Sequence, residues 1–220
     1  MTDFALARRN MIDGQLRPNR VNNAQLLEVI ENLPRERFLA AGLRSVAYAD
    51  DDVPLDNGRF LMEPMVLARM IQALQPQPED KALVVASGAG YGTALLARLV
   101  KSVVAVEIDG RLAGSAEQTI KELGIANVHQ ATGKMEDGHA AGAPYDIILI
   151  EGAVQHVPPA IVAQLAEGGR LGTVIAAASA GVLGVAQLMV KEGGVVSGRP
   201  IFDAGTPALP GFAPQPRFSF

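Results

Sequence analysis

Beyond residue 78, short apolar runs alternate with segments of helical period. The spacing predicts strands over 83–86, 103–107, 126–130, 146–151 and 170–176 and helices over 92–101, 111–123 and 159–166. Leu112, Ala116, Thr119, Ile120 and Leu123 fall on one face of the second of these helices. The run 145–150 is apolar on both faces, as a central parallel strand requires. Strands alternating with helices imply right-handed crossovers and a doubly wound sheet. Gly193-Gly194 then turns two last strands, 184–191 and 195–202, into an antiparallel hairpin.

Before Gln75-Pro76-Gln77-Pro78 the pattern is helical and rich in charge. Leu26, Leu27, Ile30 and Leu33 keep helical spacing until Pro34 stops them. The stretch holding Asp50-Asp51-Asp52 and Asn57-Gly58 reads as loop. A further helix starts at Pro64, a residue suited to a first turn, with Val66, Met70, Ile71 and Leu74 on one side. The chain thus divides into a helical extension with a loop region (1–75), an α/β domain (79–205) and an extended tail rich in Pro and Phe (206–220). The tail's aromatics are expected to tie it to the surface.

The first strand empties into Ala86-Ser87-Gly88-Ala89-Gly90-Tyr91-Gly92, three glycines spaced by one residue, directly before a helix. Such a turn offers bare backbone N–H groups to a nucleotide-bearing cofactor. Glycines there also serve close packing alone. Glu107, at the tip of the next strand, stands where such folds bind a ribose hydroxyl pair, and it favours the cofactor reading.

Composition narrows the chemistry. At 220 residues, with 49% hydrophobic and 19% charged residues, the chain is long enough to bury a sizeable core. A net charge of -4 gives no basic footprint for nucleic acid. The absence of cysteine excludes disulfides, thiolate nucleophiles and cysteine metal sites and fits a cytoplasmic setting. The start lacks a basic segment followed by an apolar one, so no signal peptide is expected. The apolar region 171–190 is broken by Gly172, Thr173, Ser179, Gly181, Gly184 and Gln187, which suits two strands better than a membrane span.

Other residues carry weaker signals. His129, His139 and His156 lack metal-ligand spacing, and no metal is expected. His156 and Glu151-Gly152-Ala153 lie on the strand edge where doubly wound folds bind ligands. Glu63 suits a helix N-terminus, or else a carboxylate beside a cationic cofactor. Met62, Met65 and Met70 read as core filling.

The order of motifs resembles the protein-L-isoaspartate O-methyltransferases. Met11-Ile12-Asp13-Gly14-Gln15-Leu16, Leu33-Pro34-Arg35-Glu36-Arg37-Phe38, Ala47-Tyr48 through Val53-Pro54-Leu55, and Glu63-Pro64 with Ala68-Arg69-Met70 carry the resemblance. Ala143-Pro144-Tyr145-Asp146 and 164–171 extend it, over roughly residues 8 to 176 in all. It implies a class I S-adenosylmethionine-dependent methyltransferase fold, Rossmann-like, acting on isoaspartate-bearing proteins or peptides. It also implies cofactor contacts at Ala86, Ser87, Gly88, Ala89, Gly90, Glu107 and the position of Lys134.

Four positions depart from the family pattern. Met62 stands where the family has a serine or threonine hydroxyl beside the methyl donor, and methionine donates no comparable hydrogen bond. Val84 replaces an acidic residue, Ala86 the first loop glycine, and Lys134 an acid beside the adenine, whose amino group needs an acceptor. Arg59 is assigned as a cation near the substrate carboxylate, partly replacing the missing hydroxyl. Two functions follow: a carboxyl methyltransferase of impaired or altered scope, or a binding protein that keeps the fold and has lost the cofactor. A nicotinamide-dependent reductase would need glycine at Thr93.

Overall fold

Consecutive apolar residues make β3 (Lys81–Val85) and β6 (Tyr145–Val154) strands buried on both faces. The computed structural model describes residues 3–179 and 182–212. The part of the tail beyond residue 212, with Phe218 and Phe220, lies outside the described residues.

The seven-stranded sheet runs in the order β5-β4-β3-β6-β7-β8-β9, with β4 Ser102–Glu107, β5 Val128–Thr132, β7 Leu165–Ile175, β8 Gly184–Glu192 and β9 Val195–Ala204. From β5 to β7 neighbours are parallel, whereas β7, β8 and β9 pair antiparallel as the expected hairpin. Strand order reverses at β3, so its carboxyl end and those of β4 and β6 frame the crevice where such sheets bind ligands.

Helices cover one face: α1 (Phe4–Met11), α2 (Ala24–Asn32), α3 (Pro64–Leu74), α4 (Tyr91–Ala97) and α5 (Gly110–Glu122). Asp3, Asn23 and Asp109 cap α1, α2 and α5 by accepting N–H groups of the first turn. A short hairpin, β1 (Val53–Pro54) with β2 (Phe60–Leu61), carries Arg59. Ala82 and Val84 face a core shared with α3, α4 and the N-terminal helices; Leu83 and Val85 face a second core on the other side. The first core runs from Met11 to Ala204, so residues before and after Gln75 share one interior.

Several boundaries differ from the sequence expectation for physical reasons. The first loop helix ends at Ala97, because Asn127 donates its amide to the carbonyls of Ala97, Val100 and Lys101. β5 begins at Val128, although the Asn127 carbonyl already accepts the Val103 N–H of β4 at 2.9 Å. The helix expected over 159–166 is one turn, α6 (Pro159–Val162), since the Tyr145 N–H donates to the Gln164 carbonyl and β7 starts at Leu165. On α5 the fully buried residues are Ala113, Ala116 and Ile120, while Leu112 is half-buried. The segment expected to be loop contains the β1–β2 hairpin. Among the described residues, no helix is long and apolar enough to cross a membrane.

Candidate cofactor site

After β3 the chain makes its turn with three left-handed residues, Ala86 (φ 60), Gly88 (φ 52) and Gly90 (φ 91). Ala86 therefore adopts a conformation that favours glycine, at a cost of about 1–2 kcal/mol. Gly90 meets a second constraint, because a Cβ there would stand 2.8 Å from that of Ala116 on α5. The Ser87 N–H donates to the Val106 carbonyl (3.1 Å) and the Gly90 N–H to the Ser87 carbonyl (2.8 Å), which locks the loop against β4. Ser87, Gly88, Ala89 and Gly90 are all buried.

Glu107 ends β4 with no exposed surface. Its Oε2 accepts the Gly88 N–H at 2.8 Å, and its Oε1 accepts the N–H groups of Ile108 (2.9 Å) and Asp109 (3.2 Å). The same Oε2 also takes a charged partner: Arg59 Nη2, at 3.1 Å. Arg59 is 2% exposed, and its Nη2 further donates to the Ala86 carbonyl at 2.7 Å. The sequence placed Arg59 beside a substrate carboxylate, but the structure places it on the carboxylate of the chain itself. A guanidinium entering from the β1–β2 hairpin finds there both a buried anion and an orphan carbonyl.

Two further buried charges surround this pair. Glu151, on β6 and 7% exposed, lies against α4, where any side chain at Gly92 would overlap its carboxylate. Burial pushes its carboxyl up to about 8, offset in part by Arg59 and Arg35 and assisted by Glu107. Arg35 is fully buried; its Nε donates to the Ala47 carbonyl (2.6 Å) and its Nη2 to the Met62 carbonyl (2.7 Å), and its Cζ lies 4.8 Å from the centre of the Tyr91 ring. Burial lowers the Arg35 pKa and pushes that of Tyr91 up to about 12. Arg59 Nε and Nη1, Arg35 Nη1, Glu151 Oε1 and Thr93 Oγ1 are buried without hydrogen-bond partners among the described residues.

Met62 is buried and lines a cavity of about 10 Å³ with Asp52, Glu151, Gly152, Thr206 and Leu209. That volume admits one water at most. Asp52, read from sequence as part of a solvated loop, accepts the Glu63 N–H at 2.8 Å. Glu63 stands at the N-cap of α3, as the helix-end reading has it, but its side chain makes no capping bond. Burial, then Asp50, Asp52 and Asp51, push its carboxyl up to about 7.

The segment 206–212 crosses this site as a strap. The Ala153 N–H donates to the Pro207 carbonyl (3.1 Å), and the Leu209 N–H donates to the Ala153 carbonyl (2.8 Å). Leu209 packs on Gly152 where any Cβ would clash, and Pro210 lies over Gly58. Leu209 and Phe212 join Val106 and Met135 in the second core.

Ala86, Ser87, Gly88, Ala89, Gly90 and Glu107 lie together in the buried turn, whereas Lys134 is exposed and has no part in the cluster. His129 and His156 are exposed, and no group of three potential metal ligands occurs among the described residues. Sequence reasoning missed Arg35 and Thr93 as members of the cluster. A charged residue after an apolar run, as at Glu151 after the four residues Ile147–Ile150, was the signal the sequence offered for a buried charge here. The backbone cradle and the acid at the strand tip suit a ribose-bearing cofactor. The unpartnered polar atoms beside them suit a polar ligand, although Arg59 and the strap stand in the way.

The family model described as protein-L-isoaspartate(D-aspartate) O-methyltransferase (PCMT) matches residues 7–199. A protein-L-isoaspartate O-methyltransferase of Koribacter versatilis is 41% identical over 171 residues, 78% of this chain and 77% of that protein. One from Rhodopseudomonas palustris is 36% identical over 77% of this chain and 69% of its own length. Among solved structures, a protein-L-isoaspartate O-methyltransferase superimposes with a TM-score of 0.80 at 24% identity, covering 92% of this chain and 65%, under two thirds, of that one. A Plasmodium falciparum protein described as a putative member, in complex with S-adenosyl-L-homocysteine, gives 0.77 at 19% identity, covering 96% of this chain and all of that one. At those identities the structural likeness establishes the fold.

Proposed function

The chain belongs to the protein-L-isoaspartate(D-aspartate) O-methyltransferase family, and from that premise we propose that it methylates the carboxylate of isomerised aspartate in damaged proteins or peptides. The observation that carries this reading to the site is the left-handed Ala86–Gly90 turn pinned to Glu107 at the crevice of the sheet. When bound, S-adenosylmethionine supplies a methyl group on a sulfonium. Glu107 presents a carboxylate at the ribose position, and the buried Ser87–Gly90 backbone forms the floor.

A carboxylate substrate, with a reference pKa of about 4, is ionised at neutral pH, so this chain needs no general base. Its contribution is to position and desolvate the substrate. Met62 has no hydroxyl for that purpose, so orientation must come from neighbours on the cavity, Glu151 of β6 among them. The helical layer and its hairpin carry Arg59 and Met62, and the α/β portion carries the cradle. Lys134, exposed just before the Met135–Asp137 turn, would offer an adenine amino group no acceptor.

The second reading, a binding protein that has abandoned the cofactor, is favoured by the Arg59–Glu107 pair inside the cradle. One experiment separates the two. The protein is titrated calorimetrically with S-adenosylhomocysteine, and isoaspartyl and aspartyl forms of one peptide are then assayed with radiolabelled S-adenosylmethionine. Binding with label transferred to the isoaspartyl form alone is the expected result. A well-folded sample that neither binds nor transfers would leave the second reading.

A further inference from the structure

The cradle is complete in its backbone and blocked by its own chain. Arg59 satisfies Glu107 Oε2 (3.1 Å), the acid at the strand tip where such folds bind a ribose, and the Ala86 carbonyl (2.7 Å). From the opposite side the strap fastens to Ala153 through two backbone hydrogen bonds and seats Leu209 on Gly152. It passes over Gly58, next to Arg59, and Gly211 comes close to Glu136 in the turn that follows β5. The space left between the hairpin and β6 is about 10 Å³, far less than a nucleoside needs.

This closure is poorly satisfied inside. Arg59 Nε and Nη1, Glu151 Oε1 and Thr93 Oγ1 are buried with no partner among the described residues. Such groups oppose closure, because each has given up water without replacing it. The apolar contacts of Leu209 and Phe212 hold the strap down against that cost. The balance of opposed terms is what a displaceable cover requires, whereas a permanent plug would be expected to satisfy its buried polar atoms.

We infer that Arg59 and the strap 206–212 form a two-part cover, built from this chain, that S-adenosylmethionine must displace to reach Glu107 and the Gly88–Gly90 loop. The inference rests on the cofactor reading above and adds regulation of that site. The strap lifts from Ala153 and Gly152, and Arg59 leaves Glu107 for solvent or for a ligand anion. Freed of Arg59, Glu107 keeps its three backbone donors and regains acceptor capacity on Oε2 for a ribose hydroxyl. The cover then competes with the cofactor, and affinity falls by the fraction of molecules that are open.

The test uses the full chain and S-adenosylhomocysteine as the probe. Calorimetric Kd values are compared for the wild type, Arg59→Gln and Leu209→Ala, each checked for cooperative thermal unfolding. Hydrogen exchange at the Leu209 amide, which donates to Ala153, is followed in the wild type with and without the probe. The expected result is at least tenfold tighter binding in either variant and at least tenfold faster exchange at Leu209 on saturation. If Leu209→Ala fails to fold, Arg59→Gln and the wild-type exchange still decide. Equal Kd values in all folded forms, with Leu209 protection unchanged by bound probe, would overturn the cover while leaving the cofactor reading intact. Absence of binding by the wild type and by every folded variant would instead overturn the cofactor reading, and the cover with it.

Discussion

At the scale of single residues, the site is a contest over burial. Glu107 is solvated by protein alone, through three N–H groups and one guanidinium. Glu151 has no such set, and burial raises its carboxyl to about 8 from an ordinary 4.5. The native state therefore holds a proton that the unfolded chain releases, and stability falls as pH rises from about 4.5 to about 8. Glu151→Gln removes that slope. Relative to wild type, its urea midpoint should be unchanged near pH 4 and should rise through the window, to a gain of about 1–3 kcal/mol by pH 8. The raised carboxyl of Glu63 adds its own slope to both proteins and cancels in the difference. Glu107 was legible in the sequence because it ends an apolar strand at a known distance from a glycine turn. The partner of Arg59 was not, since nothing in the sequence pairs two residues 48 positions apart.

At the scale of elements, the sheet was legible because two-faced apolar runs and helical periods differ in period. Element ends were not, because contacts from elsewhere meet them, as the Asn127 amide takes the carbonyls of Ala97 and Val100 at the end of α4. The same holds for the glycine loop, whose tightness is imposed by α5. Gly90→Ala must place a methyl group 2.8 Å from Ala116 Cβ at a φ of 91. The substitution is expected to cost about 2–4 kcal/mol by denaturant unfolding, from backbone strain plus overpacking. Gly124→Ala, at a similarly left-handed φ of 69 with open space around it, isolates the strain and should cost about 1–2 kcal/mol.

At the scale of the molecule, a change of composition near Gln75 suggested separate parts, but the first hydrophobic core runs through both. Arg35 reinforces that union by binding the carbonyls of Ala47 and Met62 from the N-terminal layer while lying over Tyr91 at the start of α4. Arg170 does the same at the opposite edge, joining β7 to Asp80 (2.7 Å) and to the Gln75 carbonyl (2.9 Å). Urea unfolding should accordingly be a single transition, with the tyrosine signal and the far-ultraviolet helix signal coincident; two separated midpoints would refute one shared core. The strap has a consequence in time. Every residue it covers, from Gly58 to Ala153, precedes it along the chain. A ribosome adding 5–20 residues per second makes the roughly 60 residues from Glu151 to Phe212 in about 3–12 s. During translation the glycine turn is thus manufactured before its lid, and a nascent chain passes through an interval in which nothing of its own competes for Leu209's seat on Gly152.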